Sequence, residues 1–218
     1  MTTILGIDEA GRGSVIGPMI IAGVVIEEKD EEKLRRIGVK DSKMLTPKQR
    51  ESLFPLIKKI AKDYVALKVS AKEIDETRKI KNLNIIEAEK MAQIIKTMGA
   101  DVAYVDTPQA STEKFKAILL ALAKNHTKII AENYCDETYP VCSAASIIAK
   151  VERDREVERI KKEVGFDFGV GYSHDKRSIE FVKKSLKDGK NLEHIRHSWS
   201  TVDGIKSKKE QKSLKEYK

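Results

Sequence analysis

The sequence predicts an α/β fold, with helices flanking a mixed β-sheet and a helical segment at the C-terminal end. Three observations support this prediction. Two apolar segments near the N-terminus, at residues 3–8 and 19–26, are close enough in sequence to pair as antiparallel strands. From residue 85 onward strand and helix patterns alternate, which is typical of parallel strands joined by right-handed crossovers. After Gly165 the sequence is polar, basic and helical in pattern.

The first half of the chain contains three predicted strands. They are Thr3–Asp8, Met19–Ile26 and Tyr64–Val69. Their closeness in sequence favours an antiparallel meander, and the gap before the third strand must hold a helix. Thr46 supplies a capping hydroxyl for that helix, with proline at the first helical position and Gln49 at the reciprocal capping position. Ser70 begins a second, shorter helix with a similar cap.

The second half alternates helix and strand. The predicted elements are a helix at Ile85–Met98, a strand at Val102–Asp106, a helix at Thr112–Lys124, a strand at Lys128–Ala131 and helices at Cys142–Glu163 and Ser178–Lys187. Gly99 supplies the stop for the first of these helices. We expect residues 1–164 to form the core domain and residues 165–218 to form a helical, basic C-terminal region.

The positive charge of the chain is concentrated toward its C-terminal end. The 218 residues include 42 Lys or Arg and 34 Asp or Glu, which gives a formal net charge of +8. Residues 141–218 hold 19 of the basic and 13 of the acidic residues, so they account for +6 of that charge. A basic flank beside a nearly neutral body favours a polyanionic partner, nucleic acid first. Charge by itself leaves a solvated, lysine-rich surface equally open.

The sequence indicates neither a membrane protein nor a disulfide-stabilised one. The longest apolar run, Met19–Ile26, is far shorter than the roughly 20 residues that span a bilayer. Acidic residues at positions 8 and 9 do not fit a signal peptide, so we expect a cytoplasmic protein. Two cysteines, Cys135 and Cys142, are too few for a disulfide framework and lack the partners of a zinc site. We interpret them as reduced thiols.

Four acidic residues stand at the ends of predicted strands or in the segments that follow them. They are Asp8, Glu9, Asp106 and Asp136. Ligands collect at such positions in mixed sheets, and converging carboxylates repel one another unless cations compensate. Hard divalent cations such as Mg²⁺ prefer oxygen ligands, and two of them roughly 4 Å apart can hold a phosphodiester. Taken singly, each acid could equally be an exposed carboxylate or a helix cap.

The segment after the first acid pair is rich in glycine. Gly11 and Gly13 flank Arg12, so backbone amides and a guanidinium are available to a phosphate or a sugar. The glycines also allow a bend at Asp8 and Glu9, which must bend to share a site because adjacent strand residues point to opposite faces. No helix pattern and no GKS/T sequence follows, which excludes a dinucleotide fingerprint and a P-loop.

Several other polar residues could contact nucleic acid. They are Ser42 and Lys43 ahead of a helix start, Ser143, Ser146 and Lys150 on the long helix, Tyr172 after a glycine pair, and residues 194–199. A solvated turn, core packing or a cap on the fold explains each of them as well. Ser173-His174-Asp175 contains the residue types of a hydrolase triad, but consecutive side chains cannot form that relay.

Ordered motifs across about 200 residues resemble the type 2 ribonucleases H, the ribonuclease HII family, in their archaeal form. The motifs are Gly6–Gly13, Ile16–Met19, Asp41–Lys43, Leu45–Pro47, Val105–Asp106, Asp136, Tyr139–Pro140, Ser143–Ile147, Ala149–Val151, Arg153–Asp154 and Gly171–Tyr172. IDEAGRG followed by IGPM is highly specific on its own. With SAASIIAKVERD downstream, a chance match is not credible.

The resemblance implies a ribonuclease H-like core with a five-stranded mixed sheet and a helical C-terminal part that covers the substrate. It also implies an endonuclease that cuts the RNA strand of RNA–DNA hybrids and cuts at single ribonucleotides embedded in duplex DNA. Ribonucleotide excision repair and DNA replication are the processes that use such cuts. A non-catalytic nucleic-acid-binding module and a two-metal DNA nuclease on the same core are the alternatives.

The resemblance also assigns residues. The family's catalytic, metal-binding acids would be Asp8, Glu9, Asp106 and Asp136. The loop of Gly11, Arg12 and Gly13 would recognise the 2′-hydroxyl, the group that distinguishes RNA from DNA. Tyr172 would stack against the sugar next to the junction. Phosphate contacts are expected at Ser42, Lys43, Ser143 and Lys150.

The expected mechanism is hydrolysis with two ions of Mg²⁺ or Mn²⁺. Water attacks the phosphate 5′ to the ribonucleotide and leaves 3′-hydroxyl and 5′-phosphate ends. Expected partners are RNA–DNA hybrids and ribonucleotide-containing duplex DNA, and the protein is expected to be a monomer. Recruitment of a sliding clamp through Lys206–Lys218 stays open.

Two positions depart from the family pattern. Cys135 precedes Asp136 where a small residue such as Ala is expected. Tyr172 is followed by Ser173-His174-Asp175 where archaeal relatives are expected to have Pro-Ser-Asp. The role of His174 is therefore open.

Overall fold

A computed structural model of the chain describes residues 1–39 and 44–207. Its single sheet has five strands, which are β1 (Thr3–Ala10), β2 (Met19–Glu27), β3 (Asp63–Val69), β4 (Val102–Asp106) and β5 (Lys128–Glu132). Their order across the sheet is β3-β2-β1-β4-β5. β1 pairs antiparallel with β2, whereas β1 with β4 and β4 with β5 pair in parallel. The prediction of a mixed five-stranded sheet is confirmed.

Eight α-helices have bounds that the structure gives in full. They are α1 (Glu31–Arg36), α2 (Pro47–Ile60), α3 (Ala71–Arg78), α4 (Leu83–Met98), α5 (Thr112–Ala123), α6 (Cys135–Thr138), α7 (Pro140–Val164) and α8 (Lys176–Asp188). A further helix begins at residue 200 and is described to residue 207. None of the helices in the described ranges is long and apolar enough to cross a membrane.

The caps that the sequence predicts are present. Thr46 and Gln49 form both hydrogen bonds of the capping box at the start of α2. Gly99 ends α4 in a left-handed conformation with φ of 60°, where a side chain would be strained. Helices α1 and α6 were not predicted from the sequence, because each is short and α1 buries only Leu34.

The chain forms two compact units, and the first contains the sheet. It consists of Met1–Ala10, Ile20–Lys68 and Asn82–Arg153. In its core, buried residues of β1 and β2 pack with small residues of α7 such as Ala144 and Ala145. Gly6 lies so close to the backbone of Val141 that a Cβ at this position would overlap its carbonyl group. Small residues here therefore bring the helix backbone close to the central strand.

The second unit consists of Gly11–Met19, Val69–Lys81 and the chain from Asp154 onward. Its core is a separate apolar cluster that includes Val15, Ile16, Phe168 and Phe181. A single antiparallel bridge between Ile16 and Ile195 links the N-terminal segment to the C-terminal part of the unit. The compact units divide the chain at positions other than residues 164 and 165. They describe contacts between residues and not domains, so the sequence-based domain division stays a prediction.

Candidate functional site

Asp8 is a buried carboxylate on the central strand of the sheet. Only 4% of its surface is exposed, and one carboxylate oxygen accepts a hydrogen bond of 2.7 Å from the amide of Glu9. Burial raises the pKa of Asp8, and the negative charge of Asp136 adds to the rise. The positive charge of Lys150 and a hydrogen bond with Ser146 act in the opposite direction. The structure thus places two acids close enough to repel each other.

Lys150 and Ser146 form a polar pair on α7. The Lys150 Nζ atom donates a hydrogen bond of 2.7 Å to the Ser146 hydroxyl, one helical turn earlier. Because both residues also act on Asp8, the ammonium and the hydroxyl belong to the surroundings of that carboxylate. From the sequence, Lys150 is predicted to contact phosphate. For Ser146 the sequence leaves core packing and a nucleic-acid contact open, and it does not indicate the hydrogen bond with Asp8.

The backbone at Asp8 and Glu9 is a regular strand. In β1 the antiparallel register pairs Asp8 with Ala22, Glu9 with Ile21 and Ala10 with Ile20. The chain turns only after Ala10, at Gly11 with φ of 80°, and not between the two acids. Strand alternation therefore directs the Cβ atoms of Asp8 and Glu9 to opposite faces. Glu9 can reach the surroundings of Asp8 only through the length of its side chain.

The pairing of β4 and β5 brings Asp106 close to the segment that carries Asp136. Asp106 ends β4 opposite Glu132, the last residue of β5. After β5 the chain turns through Tyr134, which has φ of 59°, and enters α6. The amide of Cys135 then donates a hydrogen bond of 3.0 Å to a carboxylate oxygen of Asp106. The side chain of Asp106 is thereby directed toward the segment that carries Asp136.

Asp136 is anchored to the start of the long helix. Only 2% of its surface is exposed, and its carbonyl oxygen accepts a hydrogen bond from the hydroxyl of Ser143. Ser143 is itself 3% exposed, so its hydroxyl already has a structural partner inside the protein. The sequence predicts a phosphate contact for Ser143, and the structure adds this positioning contact.

The two cysteines lie next to this site as buried free thiols. The Sγ atoms of Cys135 and Cys142 are 3.0 Å apart, and Cys142 Sγ is 3.2 Å from the carbonyl oxygen of Tyr104. Burial raises the pKa of the Cys142 thiol well above its ordinary value. Cys135 is fully buried, so the departure from the expected small residue is accommodated by packing.

In the second unit, Arg196 fixes the shape of the glycine-rich loop. Its guanidinium donates hydrogen bonds of 2.7 Å to the carbonyl oxygens of Gly11 and Arg12. A third bond of 3.1 Å goes to the carbonyl oxygen of Gly17. Arg196 is fully buried, and its guanidinium carbon lies 4.9 Å from the centre of the Trp199 ring. Arg196 therefore acts inside the fold and is not an exposed nucleic-acid contact.

The same loop is tied to the segment that carries Tyr172. The amides of Val15 and Ile16 both donate to the carbonyl oxygen of Gly171, at 2.8 and 3.1 Å. A Cβ built on Gly13 would lie 3.8 Å from Cε1 of Tyr172, an ordinary van der Waals contact. The substrate contacts predicted at Gly11, Arg12, Gly13 and Tyr172 thus lie together in the second unit. Ser42 and Lys43 lie outside the described residues.

Three side chains of the types that can bind a metal ion lie close together in this unit, and within residues 1–39 and 44–207 theirs is the only such group with all ligand atoms this close. Glu163, Glu193 and His194 each place one ligand atom within 4.8 Å of the other two. Glu163 also pairs with Arg159 at 2.6 Å, and His194 Nε2 lies 3.3 Å from the other oxygen of Glu163. These contacts describe a polar network that includes the Arg159–Glu163 ion pair, and we assign no metal to it.

Asp175 stabilises the turn after Tyr172 and the start of α8. Hydrogen bonds from the Arg177 side chain, together with the amides of Arg177 and Val170, lower the pKa of Asp175 to about 2. Because this pKa is below that of an aspartate in the unfolded chain, the ionised Asp175 carboxylate stabilises the folded state above about pH 4. It is lost as the pH falls from about 4 toward 2.

We expect Asp175→Asn to lower the urea midpoint of unfolding at pH 7. The difference from the parent protein should shrink as the pH falls from about 4 to about 2, because the parent carboxylate is then protonated. Urea titrations at a series of pH values measure this, with Asp188→Asn at the exposed end of α8 as the matched control. A difference that does not change with pH would contradict the assigned role.

Comparisons with known proteins agree with the fold and with the motifs. The family model described as Ribonuclease HII matches residues 5–202. A ribonuclease HII from Archaeoglobus fulgidus is 44% identical over 203 residues, which cover 93% of this chain and 96% of the relative.

Two solved structures from archaea are similar over nearly their whole length. The ribonuclease H2 of Pyrococcus horikoshii OT3 matches with a TM-score of 0.87 and 42% identity, over 95% of this chain and 98% of that one. A chain in the structure of the PCNA:RNase HII complex from Archaeoglobus fulgidus matches with a TM-score of 0.84 and 43% identity, over 91% and 95%. The chain therefore belongs to the ribonuclease HII family, hydrolases that act on the RNA of RNA–DNA hybrids.

Proposed function

We propose that this protein cuts duplex DNA on the 5′ side of a single embedded ribonucleotide, as well as the RNA of longer hybrids. The cut leaves 3′-hydroxyl and 5′-phosphate ends. The observation that carries the proposal is the buried carboxylate of Asp8. The negative charge of Asp136 disfavours its ionised form, and the positive charge of Lys150 partly offsets this effect. Buried carboxylates repel one another and also repel a bound polyanion. Divalent cations between the carboxylates and the phosphates would remove this repulsion.

The donor set of the first unit fits hard divalent cations. Asp8, Glu9, Asp106 and Asp136 offer only carboxylate oxygens, and two of the four side chains are almost fully buried. Mg²⁺ or Mn²⁺ held there would neutralise phosphate charge and lower the pKa of water, the chemistry that two-ion phosphodiester hydrolysis requires. Dependence on a metal is a property of the family, and the assignment of two ions to these four residues is part of the proposal.

The other residues of the first unit orient this set. Ser146 and Lys150 hold Asp8, the Cys135 amide holds Asp106, and Ser143 holds the segment of Asp136. The carboxylates of Asp8 and Asp106 and the backbone that carries Asp136 are therefore held before a substrate arrives, and this lowers the cost of assembling the reacting groups. In this proposal Lys150 would also contribute a positive charge to a bound phosphate.

Recognition of the ribose is proposed to lie in the second unit. Arg196 donates hydrogen bonds to the carbonyl oxygens of Gly11 and Arg12 and so holds the loop in one conformation. In this conformation the loop backbone would approach a 2′-hydroxyl closely. Tyr172 lies against Gly13 and would stack on the neighbouring sugar. The loop and the tyrosine together would make cleavage depend on a ribose.

The test is cleavage of a labelled DNA duplex that contains one ribonucleotide, with Mg²⁺ or Mn²⁺. An all-DNA duplex of the same sequence and an EDTA reaction are the controls. We expect a single metal-dependent cut 5′ to the ribonucleotide and no cut in the all-DNA duplex. Equal cleavage of both duplexes would reject ribose recognition in favour of a general DNA nuclease. Tight binding without any cleavage would reject the proposed site.

A sliding clamp is a partner to be tested separately. The Archaeoglobus fulgidus relative has been solved in a complex with PCNA. We propose that this chain binds such a clamp too, which would bring it to ribonucleotides left in newly replicated DNA. Co-elution with an archaeal PCNA in gel filtration would support the interaction. Separate elution with both proteins at about 50 µM would reject a complex with a Kd below about 50 µM.

A further inference from the structure

His174 stacks on the tyrosine proposed to contact the sugar. The rings of Tyr172 and His174 have centroids 5.6 Å apart and planes inclined by 21°, which is a stacked arrangement. His174 is exposed and Tyr172 is half-buried. The imidazole is thus a surface group that contacts the tyrosine ring, and the proposed cleavage reaction does not require it.

The backbone on both sides of the ring pair is fixed. The amide of Asp175 donates a hydrogen bond of 3.1 Å to the carbonyl oxygen of Tyr172, which closes a four-residue turn with His174 at its third position. On the other side, Gly171 donates its amide to the Ser178 hydroxyl at 3.0 Å. Its carbonyl oxygen accepts from Val15 and Ile16. The backbone of this segment is therefore held by hydrogen bonds on both sides of the two rings.

Two residues of the second unit lie next to the Tyr172 ring. Gly13 of the glycine-rich loop lies near Cε1, where a Cβ would be only 3.8 Å away. His174 supplies a stacked ring. A tyrosine without such neighbours would sample several side-chain rotamers and would lose that freedom when a nucleotide stacks on it.

We propose that His174 is a positioning residue that holds Tyr172 in the orientation that stacks on the nucleotide sugar. The inference rests on the proposed function, because it deepens the role of Tyr172 there. His174 acts through the tyrosine ring and needs only an aromatic face, so its charge is not required. Fixing the rotamer of one side chain before the nucleotide binds is expected to change the binding constant by about 3- to 10-fold.

The experiment compares His174→Ala, His174→Phe, Tyr172→Ala and the double variant Tyr172→Ala/His174→Ala. Binding of the single-ribonucleotide duplex is measured by fluorescence anisotropy in EDTA, and kcat and KM are measured with Mg²⁺. We expect His174→Ala to raise Kd and KM about 3- to 10-fold with kcat within about twofold of the parent value. Phenylalanine should restore both constants, because it keeps the stacked ring. In the Tyr172→Ala background, loss of His174 should have no further effect.

The outcomes separate this inference from the proposed function. If Tyr172→Ala weakens binding and His174→Ala does not, the positioning role is wrong and the sugar contact of Tyr172 stands. Equal effects of alanine and phenylalanine at position 174, or additive effects in the double variant, would also overturn the positioning role. If Tyr172→Ala leaves ribonucleotide binding unchanged, both the sugar contact and the inference fail. Loss of the stacked ring should lower the thermal midpoint of His174→Ala by no more than a few degrees, so a larger drop would indicate a structural role instead.

Discussion

Asp8→Asn is expected to lower the rate of hybrid cleavage by roughly a thousandfold or more while hybrid binding stays within a fewfold of the parent protein. The substitution keeps the shape of the side chain and removes the charge that would hold a divalent cation. Because Asp8 is buried beside Asp136, solvent cannot replace that charge. The measurement is single-turnover cleavage of a labelled hybrid with Mg²⁺, together with a Kd in EDTA.

The stability of the same variant distinguishes a chemical defect from a folding defect. Burial raises the pKa of Asp8, so the folded protein binds this proton more tightly than the unfolded chain does. The free energy of unfolding of the parent protein therefore falls as the pH rises from about 4 through the raised pKa. Asparagine does not ionise, so the variant does not show this fall. In EDTA at pH 7 we expect Asp8→Asn to unfold at a temperature equal to or above that of the parent.

Asp63→Asn is the matched control for the Asp8 substitution. Asp63 is an exposed aspartate at the start of β3, and its loss should change neither cleavage nor stability appreciably. Near-parent cleavage by a folded Asp8→Asn protein would contradict the metal assignment. Loss of activity accompanied by a large drop in the unfolding temperature would attribute the effect to misfolding instead.

Arg196→Met is expected to destabilise the folded protein strongly. It removes three hydrogen bonds to the carbonyl oxygens of Gly11, Arg12 and Gly17, and the apolar side chain cannot replace these donors. Breaking a buried charged network of this kind costs about 3–5 kcal/mol. Because the loop then loses its shape, we also expect kcat/KM on a single-ribonucleotide duplex to fall by about 100-fold.

Two further arginine variants keep this prediction testable if Arg196→Met fails to fold. Arg196→Lys retains the charge but can reach fewer of the three carbonyl oxygens, so it should fold and show an intermediate loss of kcat/KM. Arg159→Met removes an exposed arginine that pairs at the surface with Glu156 and Glu163, and should change stability by less than about 1 kcal/mol. Equal midpoints of urea unfolding for Arg196→Met and Arg159→Met would contradict the structural role of Arg196.

Much of the fold follows from local sequence signals. The strand at Val102–Asp106 is observed within the predicted bounds, and the helix capped by Thr46 begins where the capping box predicts. Both signals are local, since they depend on a few neighbouring residues and their hydrogen bonds. The short helices α1 and α6 were missed because neither has enough turns to show an amphipathic period.

For the candidate site, the sequence predicts a set of residues and not a geometry. Carboxylates at strand ends and the resemblance to ribonuclease HII point to the four acids, and their role stays a prediction. The pairing of Asp106 with the Cys135 amide depends on the register between β4 and β5, and no local pattern encodes it. Likewise, the regular strand through Glu9 replaces the bend that the two adjacent acids had suggested.

Arg196 shows the limit of the sequence most clearly. In a basic segment beside histidine, serine and tryptophan, an arginine is typical of a nucleic-acid surface, yet this one is fully buried. Its partners at Gly11, Arg12 and Gly17 lie about 180 residues earlier in the chain. A hydrogen bond over that separation depends on how the whole chain packs, so no window of sequence can reveal it.

The residues that carry the chemistry stay a prediction, whereas the sequence was enough to give the α/β class, the order of the principal strands and helices, and the family. These follow from periodicity, caps and motifs, each of which is written in consecutive or nearly consecutive residues. Only the packed chain shows that Lys150 and Ser146 act on Asp8, that Arg196 shapes the glycine-rich loop and that His174 stacks on Tyr172. Burial, charge and stacking depend on distances in space, and those distances exist only once the chain has packed.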